Sequence, residues 1–238
     1  MRKIAILNFK GGTGKTTTAV NLAHALALKR QNVLVVDCDP QGSVASWFGI
    51  NFKNTFFNLF TDKVKLQDCV YKAREKLDII PSDKRLALIE IRLAKEKDME
   101  KAFKKRLSSL RGYDFVFLDC PPSMSILNLN ALEYAKEIFM PVTMDYLSLR
   151  GVKQVVESLS EGIEITKVIP TFYDQRTKKS KEILEDLQLF FKDRVTGPIR
   201  INVKLSECSS FHKTIFEYDS HSRGAQDYQK LAEEILSD

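Results

Sequence analysis

The run Lys10-Gly11-Gly12-Thr13-Gly14-Lys15-Thr16-Thr17 concentrates three glycines, two lysines and three hydroxyls in eight residues. That combination suits a phosphate chain. Glycines let backbone N–H groups turn toward an anion, and a helix starting at the end of the run adds partial positive charge. In such a loop Lys15 meets the β- and γ-phosphates and the Thr16 hydroxyl ligates Mg²⁺. The whole run, Lys10 to Thr17, is the expected nucleotide cradle. The common form of this loop has a glycine five residues before Gly14, where this chain has Phe9, and here a second lysine, Lys10, directly precedes the glycine pair. A glycine turn beside solvated lysines is the bland alternative, but Gly-Lys-Thr-Thr between strand and helix argues against it.

Carboxylates follow the same logic. Val33-Leu34-Val35-Val36 ends in Asp37-Cys38-Asp39-Pro40, and Phe115-Val116-Phe117-Leu118 ends in Asp119-Cys120-Pro121-Pro122. Apolar strands of an open α/β sheet deliver such residues to its carboxyl edge, where ligands collect. The prolines then force the chain out of the sheet. Asp37 and Asp119 are therefore candidates for the Mg²⁺ shell, and Asp39 for orienting an attacking water. Lys15 and Lys10 supply positive charge. Phosphoryl transfer works by positioning and charge neutralisation, so no nucleophilic triad is required. The Asn-Lys-x-Asp pattern of guanine-specific proteins is absent, which favours adenine.

The elements that must hold these residues alternate. Ile4–Leu7, Val33–Val36, Leu77–Ile80, 114–118, Glu137–Val142 and Glu164–Ile169 read as strands. Thr18–Leu26, Ile126–Tyr134, Leu149–Leu159, 178–192 and about 226–236 read as helices. The aromatic-rich stretch 43–76 reads as short helices packing on the sheet. Lys84 to Arg111 reads as helical, with ten Lys/Arg against four Asp/Glu, a solvated face before a nucleic-acid surface. Strand–helix alternation predicts one α/β domain over 1–238, a doubly wound, mostly parallel sheet with helices on both faces.

Composition sets the class. The chain has 238 residues, 44% hydrophobic and 29% charged, with net charge +6. Those values are ordinary for a globular protein, and the charge permits an anionic partner. No apolar run approaches the ~20 residues of a membrane span. The first residues enter a strand directly, so a cytoplasmic location is expected. Cys38, Cys69, Cys120 and Cys208 lie far apart and read as reduced thiols.

Taken together, the motifs resemble the ParA/Soj family of deviant-Walker partition ATPases. Besides the loop and the two Asp-Cys segments, the resemblance rests on Asp174-Gln-Arg176-Thr, Asn202-Val-Lys-Leu-Ser-Glu207 and Ser222-Arg-Gly-Ala-Gln-Asp-Tyr228. It covers residues 1 to about 50, 114 to about 151, and 174 to the end. It implies an ATP-dependent homodimer in which Lys10 reaches across to the partner's phosphates. It further implies non-specific binding of double-stranded DNA on the nucleoid, and a ParB-like partner that stimulates hydrolysis and releases the DNA. Arg176, Arg200 and Lys204 resemble the family's DNA-contacting positions, with Lys178, Lys179, Lys181 and Arg223 as neighbours. Arg150-Gly151 departs from the frequent Glu-Gly, and the autorepressor role of relatives with an N-terminal helix-turn-helix extension is not expected.

Two relatives of this chemistry compete. A ParA-like ATPase could position a protein cargo on the nucleoid through a cargo adaptor. A MinD-like ATPase would end in a basic amphipathic helix for the membrane. The tail from Tyr228 to Asp238 is acidic, so no membrane partner is expected.

Overall fold

Short apolar runs form the interior of one seven-stranded sheet in the computed structural model, which describes residues 1–61, 64–93 and 98–238. The strands are β1 (Arg2–Ile6), β2 (Val33–Asp37), β3 (Tyr71–Arg74), β4 (Leu77–Ile80), β5 (Phe115–Asp119), β6 (Glu137–Thr143) and β7 (Glu164–Thr171). Their order is β3-β4-β2-β5-β1-β6-β7. Every pairing is parallel except β3 against β4. All five residues of β2 and of β5 are buried, as strands covered on both faces must be.

Alternation along each strand divides the core in two. Ile4, Ile6, Val33, Val35 and Phe117 face one cluster, covered by α1 (Lys15–Leu28) and the last helix, α11 (Arg223–Ser237). Ala5, Leu7, Leu34, Val36 and Leu118 face the other. Its cover includes α6 (Ile126–Ala135), α7 (Tyr146–Ser158) and α8 (Lys178–Phe191). The expected doubly wound α/β sheet with helices on both faces is what the chain forms.

Local differences have local causes. Helix α7 starts three residues before the expected Leu149, because the Asp145 side chain accepts the Ser148 N–H and caps it. Helix α11 starts at Arg223 rather than about 226, capped by Ser222. Stretch 43–76 does form α2 (Ser43–Phe48) and α3 (Phe56–Leu59), but Tyr71–Arg74 adds the antiparallel edge strand, unforeseen because only Ala73 of its four residues is buried. The helix expected over Lys84 to Arg111 is instead α4 (Ala87–Leu93) and α5 (Ala102–Arg106) among the described residues. Residues 94–97 of that reading lie outside them. Two further short helices, α9 (Val203–Glu207) and α10 (Ile215–Tyr218), precede α11.

The aromatic stretch is core. Phe56 and Phe103 are fully buried with ring centroids 4.7 Å apart in an edge-to-face pair, and Phe60 stands 5.3 Å from Phe56. Truncating a ring at this junction removes transfer energy and leaves a cavity. Phe56→Ala is expected to lose about 3–5 kcal/mol in urea denaturation. A loss under about 1 kcal/mol would place the stretch outside the core.

Candidate functional site

The carboxyl ends of β1, β2, β5 and β6 bring the predicted site residues to one edge. Between β1 and α1 the chain turns at Gly12 and Gly14, with φ of 73° and 86°, a region strained for any residue with a Cβ. Lys15 opens α1 and is buried, its Nζ donating to the Lys10 carbonyl at 3.1 Å. Burial lowers its pKa, an effect the nearby Asp119 partly offsets. The Thr16 hydroxyl donates to Asp119 Oδ2 at 2.6 Å. The loop is thereby tied to β5, the strand that pairs with β1.

Asp37 and Asp119 face each other in register on β2 and β5, and both are buried. Asp37 accepts the backbone N–H groups of Asp39 and Val44, each at 3.0 Å, one on each oxygen. Its carboxylate thus shapes the turn that presents Asp39. Asp119 Oδ1 is buried without a hydrogen-bond partner among the described residues. Asp39 is less buried, and its Oδ1 accepts the Gln41 N–H at 2.9 Å. Two hard oxygen donors, Thr16 Oγ1 and Asp119, stand together with one buried oxygen unpartnered; that donor set fits Mg²⁺.

Lys10 behaves differently from Lys15. Its Nζ donates to both oxygens of Asp145 at 2.7 Å and to Ser148 Oγ at 3.0 Å, where β6 passes into α7. Burial pushes the Asp145 carboxyl up, but hydrogen bonds from Lys10, Thr143 and Ser148 outweigh it and hold the group down at about 2. Gly151 permits the approach of α7, since a Cβ there would lie 3.3 Å from Asn8 Oδ1 and 3.7 Å from Lys10 Cβ. The Asp145 cluster was missed in the sequence. The signal was present, because Met140-Pro141-Val142-Thr143 is another strand running into an aspartate.

Beside the loop lies an apolar pocket of about 200 Å³, also unforeseen. Gly14, Thr17, Phe172, Ile199, Leu205 and Tyr228 contribute to its walls. It forms where the end of β7 meets residues 199–206, through Tyr173 N–H to the Ile199 carbonyl at 3.1 Å and Ile201 N–H to the Tyr173 carbonyl at 3.0 Å.

The three residues matched to DNA contacts separate. The Arg176 side chain is 82% exposed and pairs with Asp174 at 2.8 Å. Lys204 is half exposed, 3.5 Å from Glu207. Arg200 is committed elsewhere: its Nε and Nη2 grip the buried Asp227, the shortest contact being 2.6 Å. Moving that guanidinium to a phosphate would strand a buried carboxylate. The segments bearing Arg176 and Lys204 are adjacent through the Tyr173–Arg200 bridge. Arg223 joins them, because a Cβ on Gly224 would touch Leu205 and Asn202. All four cysteines are free and buried.

Comparison with known proteins agrees with this geometry. A family described as an AAA domain matches residues 1–168. The chromosome-partitioning ATPase Soj of Treponema pallidum is 37% identical, over 99% of this chain and 97% of its own length. The chromosome partitioning protein ParA of Caulobacter vibrioides is 35% identical, over 100% and 94%. Among solved structures, a putative plasmid partition protein of Borrelia burgdorferi bound to AMPPNP superposes with a TM-score of 0.84 at 26% identity, over 99% of this chain and 98% of that one. Cobyrinic acid a,c-diamide synthase of Mycobacterium smegmatis, with ADP and magnesium, gives 0.83 at 28%, over 99% and 94%. The chain belongs to the ParA/Soj family of partition ATPases.

A pH test follows from the buried carboxylates. Burial pushes the Asp119 carboxyl up to about 7, and burial together with Asp119 pushes Asp37 well above the carboxylate range. A carboxyl whose pKa is raised on folding favours the folded state while protonated. Its contribution is therefore full below its unfolded pKa near 4 and is lost as pH rises through about 7. Without Mg²⁺ or nucleotide, urea stability of Asp119→Asn should gain on the native chain between pH 5 and 8, by at most about 1.4 kcal/mol per pH unit. Parallel pH profiles would refute the raised carboxyl.

Proposed function

We propose that this member of the ParA/Soj family is an ATP-driven partition ATPase that carries DNA as its nucleotide state changes. One observation carries this reading: residues 199–206 line the pocket beside the phosphate loop and also bear Lys204, next to the Arg176 and Arg223 segments. Nucleotide occupancy and the cationic surface therefore share one piece of chain.

The nucleotide is ATP. The loop from Lys10 to Thr17 takes the phosphates, with Lys15 inside the loop. The apolar pocket of Ile199, Leu205 and Tyr228 takes the adenine. Thr16 and Asp119 hold Mg²⁺, and Asp37 supports them through the turn it organises. When bound, the ion neutralises charge on the β- and γ-phosphates. Asp39 orients the attacking water with Oδ2, which has no partner among the described residues.

Two copies of the chain close on ATP, and Lys10 exchanges Asp145 for the partner's phosphates. Arg176, Lys204 and Arg223 then meet the DNA backbone without reading bases. Arg200 acts through Asp227, fixing residues 199–204 to α11. A ParB-like protein accelerates turnover and so ends the DNA-bound state. The work takes place in the cytoplasm, on the nucleoid. A membrane role fits poorly: α11 spends its apolar face, Leu231 and Ile235, on the core beside α1, and no described helix is long and apolar enough to cross a bilayer.

DNA binding by the purified protein, with ATP, ADP or no nucleotide across a salt series, tests the proposal. Binding is expected with ATP only, and affinity should fall steeply with salt. Arg176→Glu should weaken it while ATP-driven dimerisation persists, and Asp39→Ala should hold the ATP dimer on DNA. DNA affinity independent of nucleotide would sink the switch.

A further inference from the structure

Phe172 combines a left-handed backbone with an exposed aromatic ring. Its φ is 53°, in the left-handed region that bulky residues avoid, and the residue is 51% exposed just past the end of β7. A strained backbone carrying an exposed ring persists only where neighbours over-determine it. They do so here. On one side the Thr171 hydroxyl donates to the carbonyl of Thr13 in the phosphate loop at 2.9 Å. On the other, Tyr173 is fixed to residues 199–201 by the two backbone bonds described above. The residue between them is thereby forced to project its ring at the loop. A Cβ placed on Gly14 would lie 3.8 Å from Phe172 Cε2. The ring forms part of the apolar pocket's wall and also of the neighbouring cleft that holds Lys10 and Lys179.

We propose that Phe172 is the stacking platform for the nucleotide's base, a positioning residue that closes the open side of the apolar pocket. This rests on the reading of that pocket as the seat of the adenine. An aromatic face suits any purine π-system, and stacking on it requires no hydrogen bond. The exposure of the ring is then the state before the base arrives. The left-handed backbone is what turns the ring over Gly14 and out of the core.

The backbone conformation makes the test sharp, since glycine is the one residue that relieves φ 53° while removing the ring. ADP binding by the full chain with Mg²⁺ would be measured calorimetrically for the native protein, Phe172→Tyr, Phe172→Ala and Phe172→Gly. Tripolyphosphate serves as the probe without a base. The alanine and glycine variants should bind ADP at least about fivefold more weakly, and the tyrosine variant within about twofold of native. Tripolyphosphate affinity should be unchanged throughout, and Phe172→Gly should melt no lower than the native chain.

ADP affinity within about twofold of native in both truncated variants would overturn the proposal. The same holds if only ATP-driven dimerisation fell, because the ring would then be a contact between copies. Ser206→Trp, at the rim of the pocket, checks the premise separately. It should block ADP but not tripolyphosphate. Full ADP binding by Ser206→Trp would remove the base from this pocket, a failure distinct from one confined to Phe172.

Discussion

The burial of two carboxylates side by side is the constraint on which the site depends. Asp37 and Asp119 occupy matched positions on the two most enclosed strands, at an edge where the sheet gives way to loops. A buried charge demands partners, and each neighbour can be read as an answer to that demand. The turn at residues 39–44 gives Asp37 two backbone N–H groups. Thr16 gives Asp119 one hydroxyl, and Lys15 stands near enough to favour its charge. The remaining oxygen of Asp119 is unsatisfied among the described residues. A cation completes this account better than any protein group among the described residues, so the fold's electrostatics favour Mg²⁺ at this edge.

Lys10 shows the same economy. Its ammonium is satisfied by Asp145, Thr143 and Ser148, all on the β6–α7 corner. Asp145 also caps α7, so one carboxylate fixes both the start of the helix and the direction of the lysine. If Lys10 serves a second copy, as proposed above, leaving this pocket removes the charge that holds the carboxylate low. Lys10 release and the first turn of α7 are therefore coupled through a single side chain. The arrangement explains why Gly151 faces Asn8 and Lys10: a larger residue would push α7 away from the lysine it helps to hold.

Much of this was legible from residues alone, for a physical reason. Parallel strands covered on both faces must be continuous apolar runs, and their ends must be the ligand edge. Phe115–Asp119 and Val33–Asp37 declare both facts locally. The edge strand Tyr71–Arg74 does not, since three of its four residues face outward in part and its pairing is supplied by β4. The pocket beside the loop was invisible because its walls come from residues 14–17, 171–172, 199–206 and 228. No local pattern announces a surface assembled from four distant stretches. Arg200 failed as a free cation for the same reason: its partner, Asp227, lies 27 residues away, and only the fold shows the guanidinium is already taken.

The position of Arg200 sets how the proposed nucleotide and DNA sites are joined. Its backbone N–H and its guanidinium both bind Asp227, so residues 199–204 and the first turns of α11 are tied into one body. That body carries Lys204 on one side and Arg223 on the other, while its inner surface, at Ile199 and Leu205, lines the nucleotide pocket. Thr171 joins it to the phosphate loop through the Thr13 carbonyl, with Tyr173 completing the connection. Under the proposed function a ligand in the pocket therefore bears on the element that carries the outer cations. Phosphate-backbone binding depends on that spacing and on little else, because it reads charge and not sequence. Under the proposed function this half-buried ion pair, contributing no charge of its own to DNA, is the link between nucleotide state and the cationic surface.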